Sequence, residues 1–180
     1  CDGNIDSADD TFAANGFALP EDENATLVRI LLTLDQLDQA FKVCRNPLLK
    51  IDIGIKQKRL DECAQLCEQV KEQMAWKKVG DLALSEGRFD IAENAFWSCD
   101  DFNSLLLISL STGAYDTLAK VAQAAREKRN FSVAYAAYMN LGKADPILEI
   151  LLESERFGEA LIFARTYIPS KIPSVYAAWT

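Results

Sequence analysis

The stretch GRFDIA at residues 87–92 recurs along the chain as GAYDTL at residues 113–118 and as GKADPI at residues 142–147. Each copy has aspartate at its fourth position and an apolar residue at its sixth. A copy without glycine, KRLDEC at residues 58–63, precedes them, so the four copies are separated by 29, 26 and 29 residues. Apolar residues at helical spacing flank every copy. This period predicts an all-α solenoid of stacked antiparallel helical hairpins, TPR-like, with irregular repeats of roughly 26–29 residues.

Between these turns the apolar residues recur every three or four positions, which is typical of amphipathic helices. Gly87 is expected to adopt the left-handed conformation that ends a helix. Residues 51–55 alternate like a strand, but they lie in register with the repeat and are predicted to be helical. We predict helices over residues 21–34, 35–45, 48–57, 60–70, 75–86, 88–99, 102–112, 115–129 and 131–141, one with Pro146 in its first turn that ends near residue 153, and one over residues 157–167.

Two segments carry more specific expectations. Residues 102–112 are apolar on almost every side, which predicts an inner helix packed on both sides. Pro169 and Pro173 are expected to break the chain after the helix at residues 157–167.

The chain shows no internal boundary in its sequence. No segment rich in proline, glycine or serine divides it, so residues 1–180 are expected to form a single α-solenoid segment. The chain begins with Cys1 and not with methionine, so we expect a fragment of a larger protein. Residues 1–18 are acidic and weakly apolar, and they are either the last helix of a preceding repeat or a frayed end.

The composition excludes several classes of partner. The formal net charge is −8 and the isoelectric point is about 4.6, whereas nucleic acid and anionic membranes require a clustered positive face. The basic groups at residues 77–78 and 126–129 are short and mixed with acids, which is typical of solvated helix faces. No stretch reaches the roughly 20 apolar residues that span a bilayer, and no signal peptide is visible. We therefore expect no nucleic-acid partner and no direct membrane insertion.

The cysteines and the lack of histidine argue against a metal site. The five cysteines, an odd number, have apolar neighbours and are predicted to be reduced, buried thiols. Cys63 and Cys67 are four residues apart and share one face of a helix. A zinc site needs four ligands in short paired spacings, and the chain contains no histidine. We predict no metal and no disulfide.

Catalytic constellations are also missing from the sequence. Without histidine the commonest general base is absent, and no glycine-rich phosphate-binding motif is present. The carboxylate pairs Asp9/Asp10, Asp35/Asp38 and Asp100/Asp101 lie at predicted helix boundaries, where aspartate caps free N–H groups or ends a solvated turn. We predict that the chain is not an enzyme and has no catalytic residues, cofactor or small-molecule substrate. The rival interpretation is an enzyme with an unrecognised active site in a helical bundle.

Six stretches resemble one known family. Residues 159–171, EALIFARTYIPSK, are similar to the helix and proline turn near the end of the α-solenoid of coatomer beta-prime subunits. The stretch WKKVGDLAL at residues 76–84 resembles an upstream helix of that solenoid. NFSVAY at residues 130–135 and LGKAD at residues 141–145 resemble its inner helix and the turn that follows. SAD at residues 7–9 and Leu19-Pro20 resemble its start. The resemblance covers essentially the whole chain.

The resemblance implies a role and a set of partners. It implies a scaffold segment of the coatomer vesicle coat, which acts in Golgi to endoplasmic reticulum and intra-Golgi transport. The implied partners are the solenoid of the coatomer alpha subunit and other coatomer subunits. The implied location is cytoplasmic and peripheral on Golgi membranes and transport vesicles. The propellers that read cargo in this family are absent from the chain, so no residue here is expected to recognise cargo.

Two points remain open at the level of sequence. The alternative function is the solenoid of another propeller–solenoid scaffold, such as the coatomer alpha subunit, an intraflagellar transport protein or a nuclear-pore component. The partner surface is expected on exposed outer faces such as residues 126–129 and the acidic turns, where free charges set the register of the contact. Charge reversal at Lys128 and Arg129 is the corresponding first probe.

Overall fold

The computed structural model describes residues 21–180, and within this range it contains α-helices, one short 3-10 segment and no β-strand. The expectations for residues 1–18 and for Cys1 lie outside the described residues. The all-α prediction is confirmed. The helices are α1 (Glu21–Thr33), α2 (Leu37–Val43), α3 (Pro47–Lys56), α4 (Leu60–Val70), α5 (Gln73–Ser85), α6 (Phe89–Ser98), α7 (Phe102–Thr112), α8 (Tyr115–Glu127), α9 (Phe131–Asn140), α10 (Ala144–Glu153), α11 (Phe157–Tyr167) and α12 (Ile172–Trp179).

The chain divides into two compact units, and the first contains α1 to α6. Each helix packs on the next one, and α3 also packs on α5 and α4 on α6. Val28, Leu31 and Phe41 form a core where α1 meets α2, with Ile53 of α3. Small residues bring the later helices close together: a Cβ on Gly80 of α5 would lie 2.8 Å from the ring of Phe96 in α6.

The second unit contains α7 to α12. Successive helices again pack in pairs, and α7 also packs on α9. The contacts are lined by small and branched residues that are at most 4% exposed, among them Leu105, Val121, Ala134 and Ile150. Alanine and valine at these positions allow helix axes to approach closely, so both units have the hairpin stacking that the repeat predicts.

One type of turn joins most of the helices. Its first residue has positive φ, and the apolar residue two positions later is the first residue of the next helix. The amide of the residue between them donates a hydrogen bond to the carbonyl oxygen five residues earlier, as in Arg88 to Ala83 at 2.8 Å and Asn130 to Ala125 at 2.8 Å. This bond closes the helix end. The positive-φ residues of these turns are Asp35, Lys58, Gly87, Asp100, Gly113, Arg129, Gly142 and Glu155.

The last helix corrects one expectation. Pro169 does break the chain, because α11 ends at Tyr167 and a 3-10 segment, Pro169–Lys171, follows. Pro173 was expected to break the chain as well, and this is wrong: it lies at the start of α12. Proline is tolerated in a first turn because the N–H that it lacks has no partner inside the helix there. The strand-like residues 51–55 are helical, as predicted, and belong to α3.

The described cysteines are free thiols, and two of them are fully buried. Burial raises the pKa of Cys63 to about 11 and that of Cys67 to about 12. The Sγ atom of Cys63 lies 3.8 Å from the carbonyl oxygen of Ile51, to which it donates a weak hydrogen bond. Because the thiolate is the reactive form, both side chains act as small apolar residues of the core at neutral pH.

The turn geometry predicts opposite effects for two substitutions at exposed sites. Glu155→Gly should raise the free energy of unfolding by about 0.5 kcal/mol, because a side chain is disfavoured at φ 58°. Gly142→Ala should lower the free energy of unfolding by about 1 kcal/mol, because Gly142 also has positive φ. No clash adds to this cost, since a Cβ at this position would meet no atom within 4 Å. Urea denaturation followed by circular dichroism measures both values. Equal signs for the two changes would contradict this account of the turns.

Two helical glycines form a second matched pair. Gly80→Ala should destabilise the chain by about 1–3 kcal/mol, because the ring of the fully buried Phe96 has to move away from the new methyl group. Gly158→Ala in α11 should be neutral or stabilise by up to about 1 kcal/mol, because its Cβ meets no atom within 4 Å and alanine favours helix. Thermal unfolding of both variants tests the pair, and a stable Gly80→Ala protein would show that the α5–α6 contact is looser than described.

Candidate interaction surfaces

Two neighbouring helices of the second unit contain no charged residue. The sequences of α7, FNSLLLISLST, and α9, FSVAYAAYMN, lack Asp, Glu, Lys and Arg, although these residues make up 26% of the chain. The two helices pack on each other. Both also contribute residues to solvent, so the exposed sides of this helix pair carry no charge.

Apolar side chains are exposed on this surface. Leu107 and Leu110 of α7 are 60% and 42% exposed, and Met139 of α9 is 41% exposed. Polar but uncharged residues accompany them, namely Asn103, Ser111, Ser132 and Asn140. We call these seven residues the uncharged face. The expectation that residues 102–112 are packed on both sides is therefore wrong, because α7 has one side in solvent.

The helices that alternate with α7 and α9 present a charged surface. The exposed residues Asp116, Lys120 and Glu127 lie along α8, and Glu149 and Glu153 lie along α10. From α7 to α10 the hairpin stacking thus alternates two kinds of helix, with exposed charge on α8 and α10 and none on α7 and α9.

Arg126 joins the two charged helices. Its guanidinium group in α8 lies 2.9 Å from the carboxylate of Glu149 and forms a shorter ion pair with Glu153, both in α10. Hydrogen bonding to these carboxylates raises the pKa of Arg126, and Arg126 in turn lowers the pKa of Glu153. The arginine side chain is only 27% exposed. The pairs therefore connect two successive hairpins.

Further ion pairs connect successive turns. The Nζ atom of Lys128 lies 2.9 Å from the carboxylate of Asp100, and that of Lys58 lies 2.7 Å from Glu86. The expectation that the charges at residues 126–129 are free for a partner is thus wrong for Arg126 and Lys128. Their opposite charges lie within the same unit. A register role for these residues across a partner interface stays a prediction.

The predicted capping aspartates have structural roles. Asp101 accepts a hydrogen bond from the amide of Ser104 at 3.2 Å, which is a helix cap as predicted. Asp38 is bound by Arg59 at 2.6 Å. Asp35 and Asp100 are left-handed turn residues, and the pair Asp9/Asp10 lies outside the described residues. Between residues 21 and 180, the structure has no group of three or more His, Cys, Asp or Glu side chains that could hold a metal ion.

None of the described helices has the length and apolar character required to cross a membrane.

The chain matches known proteins over almost its full length. The sequence profile of the COPA/B TPR domain family matches residues 3–180. The chain is 30% identical to coatomer subunit beta'-3 of Arabidopsis thaliana over 161 residues, which are 89% of the chain and 18% of that protein. It is 29% identical to coatomer subunit beta'-2 of Arabidopsis thaliana over 98% of the chain and 19% of that protein. With coatomer subunit beta' of Homo sapiens it shares 27% identity over 89% of the chain and 18% of that protein.

These matches confirm the resemblance to coatomer beta-prime subunits that the sequence motifs indicate. The chain spans less than a fifth of the length of these relatives.

The Arg126 ion pairs generate a prediction about stability. Arg126→Met should lower the free energy of unfolding by about 1 kcal/mol at pH 7, because two carboxylates lose their partner. Lys128→Met removes a single ion pair that is more exposed to solvent, and it should change the free energy of unfolding by less than about 0.5 kcal/mol. Urea denaturation measures both.

The ion pair between Arg126 and Glu153 has a defined pH dependence. Because the pKa of Glu153 is lowered in the folded chain, its contribution is present above the unfolded-state pKa and is lost as the pH falls through the folded-state value. The difference between the wild type and Arg126→Met should therefore shrink below about pH 4. A difference that stays constant down to pH 3 would assign the effect to packing of the arginine stem.

Proposed function

Because this chain belongs to the COPA/B TPR domain family, we propose that it is a scaffold segment of the coatomer vesicle coat and pairs with the solenoid of the coatomer alpha subunit. One observation carries the proposal: the family match covers residues 3–180, and the relatives that match about 90% of the chain are coatomer beta' subunits. Two related solenoids are suited to lateral pairing, because both present rows of parallel helices.

The geometry supports a role through surfaces and not through chemistry. The thiols of Cys63 and Cys67 are buried and held neutral by burial. The carboxylates of Asp38, Asp100 and Asp101 are used in ion pairs or a helix cap. A helical array of this kind binds partners over extended faces, so a non-catalytic scaffold role agrees with the side chains that are available.

The relatives also give the proposed setting. A coatomer segment acts in the cytoplasm, on the surface of Golgi membranes and transport vesicles, in Golgi to endoplasmic reticulum and intra-Golgi transport. Its contact with the membrane is peripheral, through the assembled coat. Other coatomer subunits are further proposed partners.

The alternative is the solenoid of another propeller–solenoid scaffold, such as the coatomer alpha subunit, an intraflagellar transport protein or a nuclear-pore component. The relatives reported above are beta' subunits, which favours the coatomer beta' assignment over these.

Binding to the alpha-subunit solenoid is the direct test. The purified 180-residue chain and the purified alpha-subunit solenoid should elute together in size-exclusion chromatography with light scattering, at the mass of an equimolar complex. A stable pair should bury at least about 1,200 Å² in total. A TPR protein of similar size from outside the coat serves as the control and should elute separately. If the chain is folded by circular dichroism and still elutes alone at micromolar concentrations, the proposed pairing is wrong.

A further inference from the structure

The uncharged face on α7 and α9 differs from the solvent sides of several other helices, which carry charges: α5 exposes Lys77, Lys78 and Asp81, and α11 exposes Glu159 and Arg165. The terminal helix α12 also lacks charge, but it is a single helix of eight residues. On the uncharged face Leu107 is 60% exposed, without a charged residue on either helix. Contiguous exposed apolar residues rimmed by polar ones are typical of protein-binding sites.

The chemistry of the face limits what it can bind. A nucleic acid or an anionic membrane needs lysine or arginine, and the face has neither. A partner that brought charged groups to it would bury them without a counter-charge, which is strongly unfavourable. The matching surface must therefore be uncharged, with apolar side chains at its centre.

The size of the face limits the shape of the partner. Helices of ten and eleven residues are about 15–17 Å long, and packed helices lie about 8–10 Å apart, so two of them present a few hundred Å². A stable interface needs about 800 Å² from each partner. A single peptide helix on this face falls short of that area, whereas another layer of helices extends past α7 and α9 and supplies the rest.

We propose that the uncharged face is the surface through which this chain binds a second α-solenoid, and that the partner presents an uncharged pair of helices to it. The inference rests on the proposed function above, which gives the partner as another solenoid of the coat. It replaces the expectation that the basic residues 126–129 set the contact, since Arg126 and Lys128 are paired within the unit.

Two properties of the complex follow. Leu107 and Met139 lie in the contact and lose their solvent exposure, so each is sensitive to a charged substitution. Binding also depends little on salt, because no charge pair forms across this face. A contact through the charged helices α8 and α10 would have the opposite salt dependence.

Matched glutamate substitutions test the location. Leu107→Glu and Met139→Glu should each weaken binding to the purified alpha-subunit solenoid at least about 30-fold, as measured by isothermal titration calorimetry. Ile30→Glu is the control, because Ile30 is 54% exposed on α1 in the first unit, beside Arg29, and it should change the affinity by less than about twofold. Circular dichroism checks that all three variants fold, which their exposure at the surface favours.

The outcomes separate this inference from the proposed function. If the wild type binds and both glutamate variants on the uncharged face bind equally well, the inference is overturned and the pairing stands. If the wild type does not bind, both are overturned. A wild type that forms dimers by itself, which Leu107→Glu abolishes, would make a second copy of the chain the occupant and overturn the stated partner.

The salt dependence is an independent check. The dissociation constant should change by less than about threefold between about 0.05 M and 0.5 M salt. A steep loss of affinity over this range, restored by low salt, would place the contact on the charged helices and overturn the inference.

Discussion

The helices end where a backbone hydrogen bond closes the repeated turn. In this bond the amide of the residue after the left-handed one donates to the carbonyl oxygen five residues earlier. The carbonyl oxygens of Ala83, Ala125 and Leu151, among others, accept it. Because one left-handed residue and one linking residue suffice, the next helix starts at once and runs antiparallel to the last. Its first residue is usually aromatic or leucine and packs at the junction. Hairpin stacking in both units depends on this short connection, since longer loops would leave the helix pairs free to change their crossing angle.

The short turns also determine which surfaces the chain can offer. In the second unit, alternate helices contact each other, α7 with α9, so the residues of one set share a surface and those of the other set share another. Arg126 joins α8 to α10, and Lys128 joins two successive turns through Asp100. These ion pairs use charges that would otherwise be available to a partner. Part of the charged surface thus holds hairpins together, whereas the uncharged face has no such pairs within the unit.

Much of the fold was predictable from the sequence, since it is local. Glycine marks the turns at 87, 113 and 142, and apolar spacing gave α7 and α11 with the bounds that the structure has. The alternate turns have Asp35, Asp100, Arg129 and Glu155 at their left-handed positions. Arginine and glutamate give no signal of positive φ, and aspartate adopts it too rarely to identify a turn by itself. The solvent side of α7 was missed because an apolar helix looks the same in sequence whether its leucines pack or are exposed. The pairing of Arg126 was missed because it joins residues 23 and 27 positions apart.

The distribution of charge along the chain favours association through the second unit. Of the net charge of −8, residues 1–99 contribute eighteen acidic and eleven basic side chains, and residues 100–180 contribute nine and eight. An acidic partner would therefore be repelled mainly by the first 99 residues. The uncharged face lies in the part of the chain that is nearly neutral, where repulsion opposes a close contact least. Leu107, Leu110 and Met139 contribute little to folding while they are exposed, but each removes apolar surface from water once a partner covers it. Burial of this apolar surface therefore stabilises the complex and not the single chain.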